Sequence, residues 1–260
     1  MTRHAFEMPT TLFPPATFVV SNVSSLAVQF KSNGSHQPTA VIALVQISYR
    51  RRVDSHDSVA RKPTMATAGS PLVKIVGLCG SLRKASFNRG LLNSAIKLSH
   101  ESSIQGLQIE LVEIDSLPFI NTDLEVAGKY PPAVEAFRQK ILEADGFLFA
   151  SPEYNYSISP VLKNAIDWAS RPPNVWATKS AAIISAGGGF GGGRAQYHLR
   201  QIGVFLDLHF INKPEFYLNA FQPPAKFDKD GSLIDEKAKE SLKAVLLALY
   251  TLTLRLKVNA

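Results

Sequence analysis

The chain has 260 residues, with 19% charged and 45% hydrophobic side chains, enough for one large packed domain or one domain plus a tail. Its net charge is +7 and it has a single cysteine, which excludes an internal disulfide and a cysteine-rich zinc site. No apolar run approaches the roughly 20 residues of a membrane helix, the six histidines stand in no metal-binding spacing, and no basic stripe interleaves with aromatics to suit a nucleic acid.

The chain divides near Met65. Residues 1–64 hold seven Lys/Arg against three Asp/Glu, whereas the remainder holds 21 against 18. The first stretch is rich in Ser, Thr, Val and Pro and shows no consistent hydrophobic period. Three readings of it stay open: an organelle transit peptide, a disordered tail, or a non-native extension upstream of a start at Met65. The lack of an Arg-bearing amphipathic helix weighs against the transit peptide. A cytoplasmic protein is therefore expected, with or without peripheral membrane contact, and a plastid one if residues 1–64 are a transit peptide.

From residue 65 to 260 the pattern is a regular alternation of strands and helices, read as one domain. Val73–Leu78 is an apolar run that predicts a buried strand. A helix follows from about Asn88 to His100, then a strand over Leu107–Ile114. Pro131 and Pro132 open a helix that runs to about Ala144. Gly146–Ala150 is apolar on both faces, as a central parallel strand is. A helix from about Ser159 to Ala169, a strand over Ser180–Ser185 and a helix from about Gly193 to Leu206 come next. A short fifth strand lies near His209–Ile211, and a long helix spans about Asp235 to Lys257. Such βα alternation predicts a doubly wound, five-stranded parallel sheet with helices on both faces. Ligands in that fold sit beyond the C-terminal ends of the strands.

Three loops at that edge carry unusual chemistry. The first, Gly77-Leu78-Cys79-Gly80-Ser81-Leu82-Arg83-Lys84-Ala85-Ser86-Phe87-Asn88, joins a strand to a helix N-terminus, where unpaired backbone N–H groups and the helix dipole favour an anion. Ser81, Ser86 and Asn88 add side-chain donors, and Arg83 adds a fork suited to phosphate. This loop matches neither the dinucleotide fingerprint nor the P-loop pattern, so it reads as the cradle of one phosphate monoester. The second loop, Ser151 to Pro160, sets Tyr154, Asn155 and Tyr156 between prolines; the rings suit a flat ligand and the amides its edge. The third, Ser185 to Arg194, has six glycines among ten residues, which lets backbone come into contact with a ligand. One phosphate, a polar chain and a flat ring describe FMN. Cys79, beside the first loop, reads as a packing residue.

These residues also carry a family resemblance. Gly80-Ser81-Leu82-Arg83-x-x-Ser86-x-Asn88, then Pro152-Glu153-Tyr154-Asn155 with Lys163-Asn164-Ala165-x-Asp167-Trp168, then the Gly187–Gly193 run, resemble the NADPH-dependent FMN reductase family, and within it the plant quinone reductases. The resemblance covers about Leu72 to the C-terminus. It implies a flavodoxin-like fold, non-covalent FMN, and a homodimer or homotetramer. It further implies ping-pong hydride transfer from NADPH, or NADH, through FMN to a quinone. By position, Ser81, Arg83, Ser86 and Asn88 would hold the phosphate, Pro152, Glu153, Tyr154, Asn155 and Tyr156 would border the isoalloxazine, and Ser185, Gly187, Gly188 and Gly189 would contact its pyrimidine side. No side chain is expected to carry the hydride. A flavodoxin-type electron carrier, or a reductase of free flavin, azo compounds or metal chelates, is the alternative.

Overall fold

The computed structural model describes residues 70–100 and 104–258. The expectations for residues 1–64 lie outside these described residues. The elements are β1 (Val73–Cys79), α1 (Phe87–His100), β2 (Leu107–Val112), a single 3-10 turn (Thr122–Leu124), α2 (Pro132–Glu143), β3 (Gly146–Ala150), α3 (Pro160–Ser170), β4 (Ser180–Gly187), α4 (Gly193–Leu206), β5 (His209–Phe210), β6 (Phe216–Asn219) and α5 (Glu236–Val258).

The strands form one parallel sheet in the order β2-β1-β3-β4-β5, and β6 also pairs with β4. This is the flavodoxin-like order, whose switch point lies between β1 and β3. The expected fifth strand is in fact two pieces. β5 pairs with the start of β4 through Ser180 and Ala181, and β6 pairs with its end from Ile184 to Gly187. Six strands therefore fill five positions. Pro214 lies in the interruption and has no N–H to give a ladder. Pairing with β6 is also why β4 runs to Gly187, past the expected Ser185. β2 stops at Val112, short of the expected Ile114, where its register with β1 ends at Leu78, and the next residue, Glu113, accepts from Arg89 of α1.

Alternation along the strands fills a core on each face. In β1, Val73, Ile75 and Cys79 face α1 and α5, where Leu91, Leu92, Leu242, Val245, Leu246 and Leu249 close over them. Val76 and Leu78 face the other side, with Phe137 of α2, Leu162 and Ile166 of α3 and Leu199 of α4. β3 is buried at all five residues: Leu148 and Ala150 serve the first core, Phe147 and Phe149 the second. Trp176 packs edge-on to Phe147 at 4.7 Å and fills the second core. With both faces covered, only the strand ends remain open for a ligand.

Candidate functional site

Loops from the C-terminal ends of β1, β3 and β4 meet at one edge of the sheet. The first runs over residues 80–86 into α1. Ser86 caps the helix, its Oγ accepting from the Arg89 N–H at 3.3 Å. The first turn of α1 holds no acid. Among the described residues, the N–H groups of residues 81–85, of Phe87 and of Asn88 have no partner. Ser81 is 6% exposed and its hydroxyl makes no hydrogen bond, yet among the described residues no side-chain polar atom is sealed off without a partner; the hydroxyl therefore reaches solvent at the loop.

Two arginines flank this loop with different duties. Arg89 is committed to Glu113, with both contacts at 2.6–2.7 Å, and its guanidinium holds that carboxyl below the usual carboxylate range. Arg83 lies over the Phe87 ring at 5.0 Å and has no ion pair among the described residues. Its charge is available to an incoming anion, as is that of the exposed Lys84 beside it. Phe87 in turn stacks on Phe227 at 4.4 Å. Gly90 lets the same segment close in: a Cβ there would drive into the Gly231 carbonyl. The loop is thus buttressed from the C-terminal third of the chain, a relation that no local pattern signals.

Asn88 serves differently from the expected phosphate donor. Its Nδ2 donates to the Ala186 carbonyl at 3.0 Å and its Oδ1 accepts from the Ala186 N–H at 2.9 Å. β3 stops pairing with β4 at Ile184, so Ala186 has no β3 partner on that side. The Asn88 amide supplies the missing peptide and ties the first loop to the third.

The second loop ends in a two-residue turn. Tyr154 and Ser157 exchange backbone hydrogen bonds at 3.0 and 2.9 Å. Between them Asn155 (φ 50°) and Tyr156 (φ 65°) are both left-handed, as in a type I′ turn. Glu153 leaves the loop to cap α4, its Oε2 accepting from the N–H groups of Arg194 at 2.9 Å and Ala195 at 3.2 Å. Gly192, the residue before the helix, has no side chain to do this. Ser159 caps α3, accepting from Leu162 N–H at 3.3 Å, with Pro160 behind it.

In the third loop Ser185 is fully buried. Its Oγ donates to the Gly191 carbonyl at 2.6 Å and accepts from Gln196 Nε2 at 2.8 Å. Its hydroxyl shapes the loop from beneath. Gly187 receives the Ala220 N–H at 2.9 Å, while the N–H groups of Gly188 and Gly189 have no partner and nothing lies within 4 Å of where their Cβ atoms would be. Free donors and open space coincide at these two residues.

The edge therefore offers a run of unpaired N–H groups with a free guanidinium, and beside it an open glycine backbone and exposed tyrosines. The family model for NADPH-dependent FMN reductase matches residues 73–223, most of the described chain. The chain belongs to the NADPH-dependent FMN reductase family. It is 72% identical over 190 residues to the NAD(P)H:quinone oxidoreductase of Solanum tuberosum, covering 73% of this chain and 97% of that protein. The NADPH:quinone oxidoreductase of Arabidopsis thaliana is equally similar, at 72% over 191 residues, or 74% and 97% of the two chains. Among solved structures, the flavoenzyme NAD(P)H:(acceptor) oxidoreductase FerB from Paracoccus denitrificans superposes with a TM-score of 0.61 at 32% identity, covering 71% of this chain and 98% of that one.

In this FMN reductase family member the Lys163–Trp168 motif is a fastener. Lys163 pairs with Asp167 at 2.7 Å. Asn164 and Trp168 both donate to the Pro118 carbonyl, at 2.9 and 2.7 Å, and Asn164 Oδ1 accepts from Ile120 N–H. They present Phe119, 81% exposed, at the rim of a pocket of about 470 Å3 that Leu82, Arg83, Tyr154 and Val161 also line. Phe119 and Leu82 were not singled out from the sequence; their only local signal was an apolar side chain in a loop. Cys79 is buried among the first core and burial pushes its thiol up, the setting of a packing residue.

Proposed function

We propose that this chain is an FMN-dependent NAD(P)H:quinone oxidoreductase, with residues 65–260 as the reductase domain. The observation that carries the reading is the loop at α1, whose unpaired N–H groups, Ser81 hydroxyl and Arg83 free of any ion pair are suited to one phosphate. The residues present fit FMN. Ser81 and Arg83 would hold the phosphate, and Ser86 caps α1 beneath it. Asn88 fixes the position of the third loop and retains one Nδ2 hydrogen.

When bound, FMN supplies a two-electron centre that takes hydride from NAD(P)H and delivers reducing equivalents to the quinone. The protein's part is position and electrostatics. Pro152, Tyr154, Asn155 and Tyr156 would border the ring system, and Glu153 braces them against α4. The free N–H groups of Gly188 and Gly189 are the donors on hand for the ring's carbonyl edge, with Gly187 and Ser185 holding their loop in shape. Arg83 balances the phosphate charge.

NAD(P)H oxidation by the purified protein, followed with and without a quinone, tests the reading, and chromatography of the released flavin tests the cofactor. Quinone-dependent oxidation with parallel double-reciprocal lines is expected. Bound FAD, no bound flavin after reconstitution, or no quinone-dependent turnover would overturn it. The apolar exposure of Val204 and Phe205 on α4 supports a homodimer or homotetramer, which light scattering checks. Among the described residues no helix is long and apolar enough to cross a membrane. A cytoplasmic site, or a plastid one if residues 1–64 direct import, belongs to the same proposal and is read from a fluorescent fusion.

A further inference from the structure

One side chain joins the loops after β3 and β4. The Arg194 guanidinium lies 4.1 Å from the centroid of the Tyr156 ring and 3.8 Å from that of Phe190, so two rings from two loops share one cation. Its Nη1 lies 3.3 Å from Glu153 Oε1, while the other oxygen of that carboxylate accepts from the Arg194 and Ala195 N–H groups. Both rings are largely in solvent, Tyr156 at 62% and Phe190 at 63% exposed, so core burial does not hold them in place. Tyr156 also sits in a left-handed backbone that a tyrosine adopts only where its surroundings hold it there. Gly188 and Gly189, open on their side-chain side, adjoin Phe190 in the same loop. Arg194 thus contacts the aromatic end of each loop.

We propose that Arg194 is the positioning residue of this site: sandwiched between Tyr156 and Phe190 and tied to Glu153, it makes the Asn155–Tyr156 turn and the glycine-rich loop one rigid wall, and so sets the affinity for the flat acceptor. The inference rests on the FMN-dependent quinone reductase reading above. Arginine suits the task because its guanidinium is planar on both faces and still pairs with a carboxylate at its edge. A lysine ammonium would keep the ion pair but has no flat face to lie between two rings. Catalysis itself needs no proton or hydride from Arg194, so its removal acts through where Tyr156 and Phe190 stand.

The full chain is tested as wild type, Arg194→Lys, Arg194→Met, Tyr156→Leu and the Arg194→Met/Tyr156→Leu pair. FMN content, melting temperature, the visible circular dichroism of the bound flavin, and KM and kcat per bound FMN with 2-methyl-1,4-naphthoquinone are measured. Arg194→Met is expected to raise the quinone KM about 5- to 30-fold, the equivalent of two exposed cation–π contacts. It should change kcat per bound FMN by less than about 2-fold and alter the flavin dichroism. Arg194→Lys should behave like Arg194→Met, and the double variant should be no worse than the more affected single one. Rescue by lysine, additive effects in the double variant, or an unchanged KM and dichroism would each overturn the proposal. If Arg194→Met loses its fold or its flavin, Arg194→Lys decides, because it keeps the charge beside Glu153 and the backbone N–H that Glu153 caps: a raised quinone KM with altered flavin dichroism supports the sandwich and wild-type behaviour overturns it. Wild type without FMN or quinone turnover overturns the functional reading and this inference with it. An active wild type with unaltered variants overturns the inference alone.

Discussion

Asn88 and Ala186, 98 residues apart, exchange two hydrogen bonds that lock the start of α1 to the end of β4. The side-chain amide stands where a neighbouring strand's peptide would be. Asn88→Ala would leave the N–H and C=O of Ala186 without partners in a buried place, at a cost of about 1–3 kcal/mol. Asn88→Asp is expected to do worse at neutral pH, since a carboxylate cannot donate to the Ala186 carbonyl and would be a buried charge. Urea unfolding of the three proteins measures both effects. An aspartate variant as stable as wild type would show that the pair is not held in solution.

The Arg83 guanidinium lies over the Phe87 ring and has no ion pair among the described residues. Arg83→Ala should therefore leave the stability of the apoprotein within about 0.5 kcal/mol while raising the FMN dissociation constant about 10- to 150-fold. Fluorescence titration of apoprotein with FMN measures the second quantity. An unchanged dissociation constant would mean that the phosphate lies elsewhere.

Two glycines should respond in opposite ways. Gly90 faces the Gly231 carbonyl so closely that any Cβ must push α1 away from the segment bearing Phe227, whereas Gly188 has nothing within 4 Å on its side-chain side. Gly90→Ala is expected to lower the melting temperature by several degrees, corresponding to about 1–3 kcal/mol of overpacking. Gly188→Ala should leave melting unchanged and weaken FMN binding, because its methyl occupies space that the flavin needs. Equal melting losses in both variants would contradict the open geometry of the third loop.

Lys179 reports on the opposite end of the sheet. Its Nζ donates to the carbonyls of Ile141 and Leu142 at the C-terminus of α2, at 2.6 and 2.8 Å. Burial holds its pKa at about 8, below the ordinary 10.5, with Asp145 partly opposing the shift. Below pH 8 the amine is charged in both folded and unfolded chains, and the folded chain bears the full desolvation cost. Between about 8 and 10.5 the folded chain releases its proton first, the unfolded chain binds more protons, and stability rises with pH. Lys179→Met should remove that rise, so the urea midpoint of wild type should gain on the variant from about pH 7 to about pH 10. Parallel pH profiles would exclude the linkage.

Residues 65–260 are expected to be sufficient for cofactor binding and turnover. The family match begins at residue 73, and the strand–helix alternation begins after Met65. A protein lacking residues 1–64 should bind one FMN per chain and turn over like the full chain; a clear loss of either would show that the first segment contributes to the site.

The sequence alone determined the alternation of elements, hence the doubly wound sheet, because strand burial and helix periodicity are local patterns written at every turn. It also determined the run of free donors at the start of α1: a strand, a Gly/Ser turn and a helix start place unpaired N–H groups together whatever the rest of the chain does. The tertiary structure decided what each polar side chain does at that edge. Asn88, Glu153 and Ser185 have the chemistry of ligand donors, yet each is turned to a backbone group: Asn88 to Ala186 at the end of β4, Glu153 to the α4 N-terminus, and Ser185 to Gly191 across its own loop. Those partners lie 98, 41 and 6 residues away, and no spacing in the sequence announces them. The split of the fifth strand and the Gly90–Gly231 contact have the same origin. Pairing at a sheet edge and close backbone approach are settled by what packs alongside, and only the folded chain brings those segments together.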